Sequence, residues 1–271
     1  MSQTNGAVAP QPAVLDPKIM EYLSSVTVPQ QATNFAIDPQ YHNMRFTTVV
    51  GRLAYCHVAA PHAIAQPGRP PGKPKFTATL LMSPGTQEKP LLADLGRAIA
   101  MVADSKWPSV SRADPNNPGQ LIQVKGSDMF WVPQNLGGFH YPLRSGDEVY
   151  QKEPAKFGEW RGLWFINTSM EPMTKSGQPQ RPVYLDEVGA ECDPLKFYSG
   201  CYARLNVSVA AFDNAGNKGV TFYLNCIQFA GTGPRMSTGF DAAGAAKAAM
   251  GVAGALPVPP PMDGPAFGPN T

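Results

Sequence analysis

The chain has 271 residues, room for one elaborated domain or two small ones, and long enough to bury roughly 70–75% of its unfolded surface without staples. Its 29 prolines and 26 glycines, about a fifth of the chain, exclude an architecture of long helices and favour β structure punctuated by turns. Charged residues make up 15% and the net charge is +2, which excludes both a histone-like basic chain and an acidic disordered one. In chain order, the first 40 residues are rich in Pro, Gln and Ala, with one apolar stretch from Ile19 to Val28, and read as an arm. Arg45 to Val58 reads as one long or bent strand broken near Gly51. The stretch HAIAQPGRPPGKPK that follows is a proline-rich basic loop carrying Arg69 and Lys73. Lys75 to Ser83 alternates, with Phe76, Ala78, Leu80 and Met82 inward and Lys75, Thr77 and Thr79 outward. After Pro90, Leu91, Leu92, Leu95, Ile99 and Val102 fall at near-helical spacing and predict the one main helix.

An irregular insertion separates this helix from a strand predicted over Trp160 to Met170. Cys201 to Phe212 then puts Cys201, Ala203, Leu205, Val207, Val209 and Ala211 on one face, and Tyr202, Arg204, Asn206, Ser208, Ala210 and Phe212 on the other. Gly219 to Phe229 alternates in the same way, with Val220, Phe222, Leu224 and Cys226 opposite Thr221, Tyr223 and Asn225. Between them DNAGNKG supplies residues that take positive φ readily, so the two strands form a hairpin. From Asp241 the chain holds nine Ala, five Gly and six Pro in 31 residues, a composition that builds no core and predicts a disordered tail. The expected division is a partly disordered arm over 1–40, a folded domain over 41–240 and a disordered tail over 241–271. The elements fit a mainly β, OB-fold-like five-stranded Greek-key barrel with one main helix. A two-sheet sandwich fits the same pattern equally.

No run of 18 apolar residues and no signal peptide is present, so a soluble protein is expected. Cys56, Cys192, Cys201 and Cys226 include no CxxC pair and are expected to be reduced and mostly packed; no metal or cofactor is expected. Signatures of catalysis are missing too: GxGxxG, the Walker loop, GxSxG and HExxH do not occur. His57 and His62, His42 and His140 read as surface or hydrogen-bonded residues, and the acidic group Asp147, Glu148 and Glu153 as a solvated loop. Aromatic residues instead keep company with basic ones: Tyr202 with Arg204, Tyr223 on the partner strand, Trp160 and Arg161 with Trp164, and Tyr141 with Arg144. Lys73, Lys75 and Lys125 add further charge. Outside the two ends, 20 basic residues face 15 acidic ones, a modest surplus suited to tracking phosphates. Stacking a base on an aromatic ring contributes roughly 1–3 kcal/mol and tolerates any sequence, while Lys and Arg gain from counterion release. Tyr202 and Arg204 are expected to be exposed, because the opposite face of their strand already supplies the core.

Three ordered blocks carry a resemblance. DPLKFYSGCYARLNVSVAAFDNAGNKGVTFYLNCIQFAGTGPRM, residues 193–236, is similar to the most recognisable block of a bacteriophage single-stranded DNA-binding protein family. GKPKFTATLLMSP at 72–84 and YPLRSGDE at 141–148, followed by GEWRGLWFINTSM, match the same pattern in order. The resemblance implies an OB-fold protein, not an enzyme, that coats and protects transient single strands in phage DNA replication and recombination within the cytoplasm of the bacterial host. Positions of shared pattern are Lys73, Lys75, Arg144, Tyr198, Tyr202, Arg204 and Lys218. With Tyr141, Trp160, Arg161 and Tyr223 from the aromatic and basic pairing, they form the expected DNA-binding set. Related phage proteins often end in a strongly acidic tail with a terminal aromatic that docks replication proteins. Here the tail has two acids, Asp241 and Asp263, with Phe267 four residues from the end, so partner recruitment through the C-terminal tail departs from that pattern. The competing expectation, from a different class, is a structural or assembly β-domain of a phage particle.

Overall fold

The computed structural model describes residues 36–38, 40–63, 70–85, 89–117, 119–214 and 216–236. Nearly all of the expected arm, the whole expected tail and Arg69 of the basic loop therefore lie outside the described residues. The framework is the predicted hairpin. β9 (Tyr202–Asn214) and β10 (Asn217–Gly231) pair antiparallel from Asn214 opposite Asn217 to Tyr202 opposite Gly231. Both strands run further into DNAGNKG than the alternation indicated, leaving a two-residue turn with Gly216 at φ 87°. Inward residues Ala203, Leu205, Val207, Val209, Val220, Phe222 and Leu224 are all buried, because period-two alternation places one side of each strand on the core.

The other edge of β9 is taken in succession by β1 (Asn43–Thr47) along 206–210 and by β2 (Gly51–His62) along 202–203. Together these are the bent strand read from the sequence. At the bend the Thr48 amide donates to the Leu205 carbonyl at 2.9 Å, and the Thr48 hydroxyl accepts from the Leu205 amide at 2.9 Å. The buried polar groups thus stay paired where the strand leaves the sheet. β3 (Lys75–Met82) pairs antiparallel with β2, and β7 (Trp164–Met170) with β3; β7 then meets β10 in parallel at 168–169. The path β2-β3-β7-β10-β9 returns to β2 and closes a ring of five strands. Where β7 parts from β10, residues 140–145 fill the gap. The His140 amide donates to Lys218 and its carbonyl accepts from Val220, while β6 (Leu143–Ser145) pairs with β7. β8 (Val183–Leu185) continues the same edge of β10, and β4 (Val110–Ala113) with β5 (Leu121–Val124) forms a separate ribbon.

Helix α1 (Lys89–Lys106) buries Leu95, Ala98, Ile99, Val102 and Ala103, a stripe at helical spacing, against β1, β9 and β10. A second, smaller core lies on the outside of the barrel. There α2 (Gly146–Lys152), capped by the Ser145 hydroxyl accepting from the Asp147 amide, and the 3-10 turn Gly158–Trp160 sit near β2, β3 and β7. Ala54, Leu81, Trp160 and Phe165 are its buried residues. The strand expected from Trp160 begins only at Trp164, because residues 160–163 turn back on themselves, the Leu163 amide donating to the Trp160 carbonyl at 3.0 Å. Among the described residues no helix is long and apolar enough to cross a membrane.

Candidate nucleic-acid interface

Strand pairing assembles one continuous row on the outside of the barrel. His57 lies opposite Thr77, Thr77 opposite Ser169, Ser169 beside Tyr223, Tyr223 opposite Ser208 and Ser208 opposite Arg45. These residues come from β2, β3, β7, β10, β9 and β1, so the row runs from strand to strand around the outer face of the ring and joins distant segments of the chain. Parallel rows are made of the same short polar groups. The Thr79 hydroxyl donates to Asn167 at 2.7 Å, and the Asn225 amide donates to Asn206 at 3.1 Å and to Ser208 at 3.0 Å. Tyr223, 45% exposed, stands out of this hydroxyl and amide surface. Arg45 is exposed at one side. At the other side Lys75 pairs with Glu171 at 3.4 Å, and exposed Lys73 precedes it in the β2–β3 loop.

Of the residues expected to bind DNA, Lys73, Lys75 and Tyr223 lie on or beside this face, and the rest are placed elsewhere. Tyr202 does point away from the barrel interior, yet it is only 8% exposed, which corrects the expectation that its ring is open. The cause is a strap formed by residues 231–236. Gly233 approaches so closely that a Cβ there would come within 2.9 Å of the Tyr202 ring. Tyr198, half-buried, meets the same strap: its hydroxyl donates to the Gly233 carbonyl at 2.9 Å and accepts from the Gly233 amide at 3.2 Å, with the Arg235 guanidinium 4.5 Å from its ring centre. The Met236 amide donates to Ser199, and Arg52 donates to the Pro234 carbonyl at 2.9 Å while pairing with Glu159 at 2.6 Å. Arg204 is half-buried and donates to its cross-strand partner Gln228 at 2.7 Å. Its charge is thereby tied to the sheet.

Trp160 is also corrected. At 5% exposure it is the centre of the outer core, with ring centres of Phe165, Phe157 and Tyr55 at 4.9, 5.0 and 5.9 Å. Arg144 lies over the Phe165 ring and pairs with Glu148, and exposed Arg161 lies over Tyr150. Tyr141 is half-buried against Phe130 and Trp131, and burial raises its phenol above the ordinary range. Lys218, at the hairpin end, pairs with Asp213 across the strands. The acidic group is fully engaged: Asp147 accepts from the Gly162 amide, Glu148 pairs with Arg144 and Glu153 with Lys156. Among the described residues no three His, Cys, Asp or Glu side chains are grouped as metal ligands. Burial, with Cys201 nearby, pushes the Cys56 thiol up to about 12, so it is an inert packing group rather than a nucleophile.

Sequence reasoning did not select Arg45, or the contact between His57 and His62, whose rings stack with centres 4.4 Å apart. The spacing of five residues hid that contact, because two register shifts in β2 bring both rings to one face beside Thr77 and Lys75. Burial first, and then His62, holds the His57 imidazole below its ordinary value of 6.5. The folded state therefore resists a proton that the unfolded chain accepts, so stability is present above that value and is lost as pH falls through it. His57→Gln is expected to flatten the dependence of Tm on pH between about 5 and 7.5. An unchanged slope in a calorimetric series would assign the effect to another group.

A closed five-strand Greek-key ring, with a polar outer face beside the β2–β3 loop and the β9–β10 turn, defines an oligomer-binding barrel of the OB type. The family model described as Enterobacter phage Enc34, ssDNA-binding protein matches residues 44–250. The chain belongs to this family of phage single-stranded DNA-binding proteins. Among solved structures it is similar to the single-stranded DNA-binding protein from bacteriophage Enc34 in complex with ssDNA, at 17% identity and TM-score 0.46, covering 72% of this chain and 90% of that one. It is also similar to gp2.5, a single-stranded DNA-binding protein of bacteriophage T7, at 12% identity and TM-score 0.42, covering 75% and 93%. None of the curated proteins compared with it matches.

Proposed function

We infer that this chain is a sequence-tolerant single-stranded DNA-binding protein of phage replication and recombination, acting in the host cytoplasm and carrying no catalysis. The observation that carries the reading is the family match over residues 44–250. The outer face fits it chemically. Tyr223 offers a flat ring to any base, the row of hydroxyls and amides offers hydrogen bonds to sugar and phosphate, and Lys73, Lys75 and Arg45 border the track with positive charge. Of the set expected from sequence, this reading keeps Lys73, Lys75 and Tyr223, leaves out Tyr141, Arg144, Trp160, Arg161, Tyr198, Tyr202, Arg204 and Lys218, and adds Arg45 and His57.

The test is a titration with oligothymidine over a range of salt. Log affinity falls with log salt at a slope of about −0.7 per phosphate neutralised, and absence of binding at about 50 mM salt would end the reading. Tyr223→Ala is expected to weaken binding by about 1–3 kcal/mol with the fold intact. Unchanged affinity in that variant would move the track off this face while leaving the activity itself standing.

A further inference from the structure

Trp131 is 80% exposed, the most open tryptophan among the described residues, yet the segment that carries it is tied down at both ends. At its start the Gly126 amide donates to the Trp107 carbonyl at 2.9 Å and the Ser127 amide to the Asp104 carboxylate at 2.8 Å, fixing the 3-10 turn Gly126–Trp131 to the end of α1. Past the turn, the Val132 and Phe139 amides both donate to the Met129 carbonyl, and His140 is hydrogen-bonded on both sides to the start of β10. Trp131 leans on Tyr141 with ring centres 6.0 Å apart, and Tyr141 on Phe130 at 5.1 Å. The outermost ring of this ladder faces solvent. Exposed Lys125 precedes the turn, and Lys218 lies where His140 joins the hairpin. His140 is bridged to Gly219, four residues from Tyr223 along β10, which is about 13 Å of strand.

An ordered aromatic ring held in water is prepared for a flat, apolar ligand, because its ordering cost is already met before binding. It is also continuous with the hairpin that borders the oligonucleotide face in barrels of this type. We propose that Trp131 is a second stacking platform, off the barrel, that takes an unpaired base of the same DNA strand and lengthens the site beyond Tyr223. This rests on the single-strand-binding reading above.

The full chain and its W131A and W131F variants are titrated with a long oligothymidine. Intrinsic fluorescence and the mobility of the labelled oligonucleotide are both followed. Trp107 and Trp160 are buried and Trp164 is 38% exposed, so most of the quenching by stacked bases is expected to come from Trp131. W131A is expected to lose most of that quenching and to bind about 5- to 150-fold more weakly, with W131F restoring affinity but not the signal. Wild-type affinity and quenching in W131A would overturn the proposal and leave single-strand binding in place. A changed elution volume in W131A at unchanged DNA affinity would overturn it in favour of a protein contact. Failure of the wild-type chain to bind oligothymidine would instead bring down the reading on which the proposal rests.

Discussion

Replacing Trp160 by alanine is expected to destabilise the protein by about 3–5 kcal/mol, the range for deleting a buried aromatic side chain. The outer core has four buried residues, Ala54, Leu81, Trp160 and Phe165, and the indole is the largest of them. It touches Tyr55 on β2, Phe165 on β7 and Phe157 on the turn before it, so it is the group that fastens α2 and its following turn to the barrel. So small a cluster offers few neighbours to refill the cavity, which keeps the loss near the upper part of that range. A urea denaturation curve measures it, and the folded fraction is expected to retain its affinity for single-stranded DNA. Weakened binding at unchanged stability would mean that Trp160 stacks on a base instead.

Gly200→Ala is expected to cost about 1–3 kcal/mol from the backbone alone, since Gly200 sits at φ 115°, where side chains are strained. The displacement of the strap adds to this, because a Cβ at 200 would collide with the Pro234 carbonyl. That carbonyl accepts from Arg52, and the neighbouring Gly233 holds Tyr198, so the substitution loosens several hydrogen bonds at once. Thermal melts report the loss. Faster amide exchange at Gly233 and Met236 reports its place, and unchanged protection there would show that the strap is held independently of the turn beneath it.

The two long strands and their faces were legible because period two survives in a hairpin with one buried side, and α1 was legible for the corresponding helical reason. Exposure was not. Whether Tyr202 is open depends on residues 231–236 folding back, and nothing in the alternation of β9 records what lies on its outer side. Trp160 was misplaced because a basic and aromatic run next to a strand reads as part of that strand, whereas its partners Tyr55 and Phe165 belong to β2 and β7. The outer row could not be read at all: residues 45, 57, 77, 169, 208 and 223 become neighbours only through pairings between distant segments. Trp131 lies in a stretch with neither period.

The ring is closed by the last two strands of the domain, and this sets the order of events on the ribosome. β2, β3 and β7 pair among themselves and β6 already covers residues 164–166 of β7, but residues 51–52 of β2 and 168–169 of β7 have no partners until β9 and β10 emerge. At the usual pace of bacterial translation the interval from residue 170 to residue 231 lasts roughly 3–12 s. For that time a three-stranded half-barrel presents a bare apolar concavity to the cell, long enough for chaperones to find it, and a nascent chain truncated before Gly231 is a candidate for aggregation.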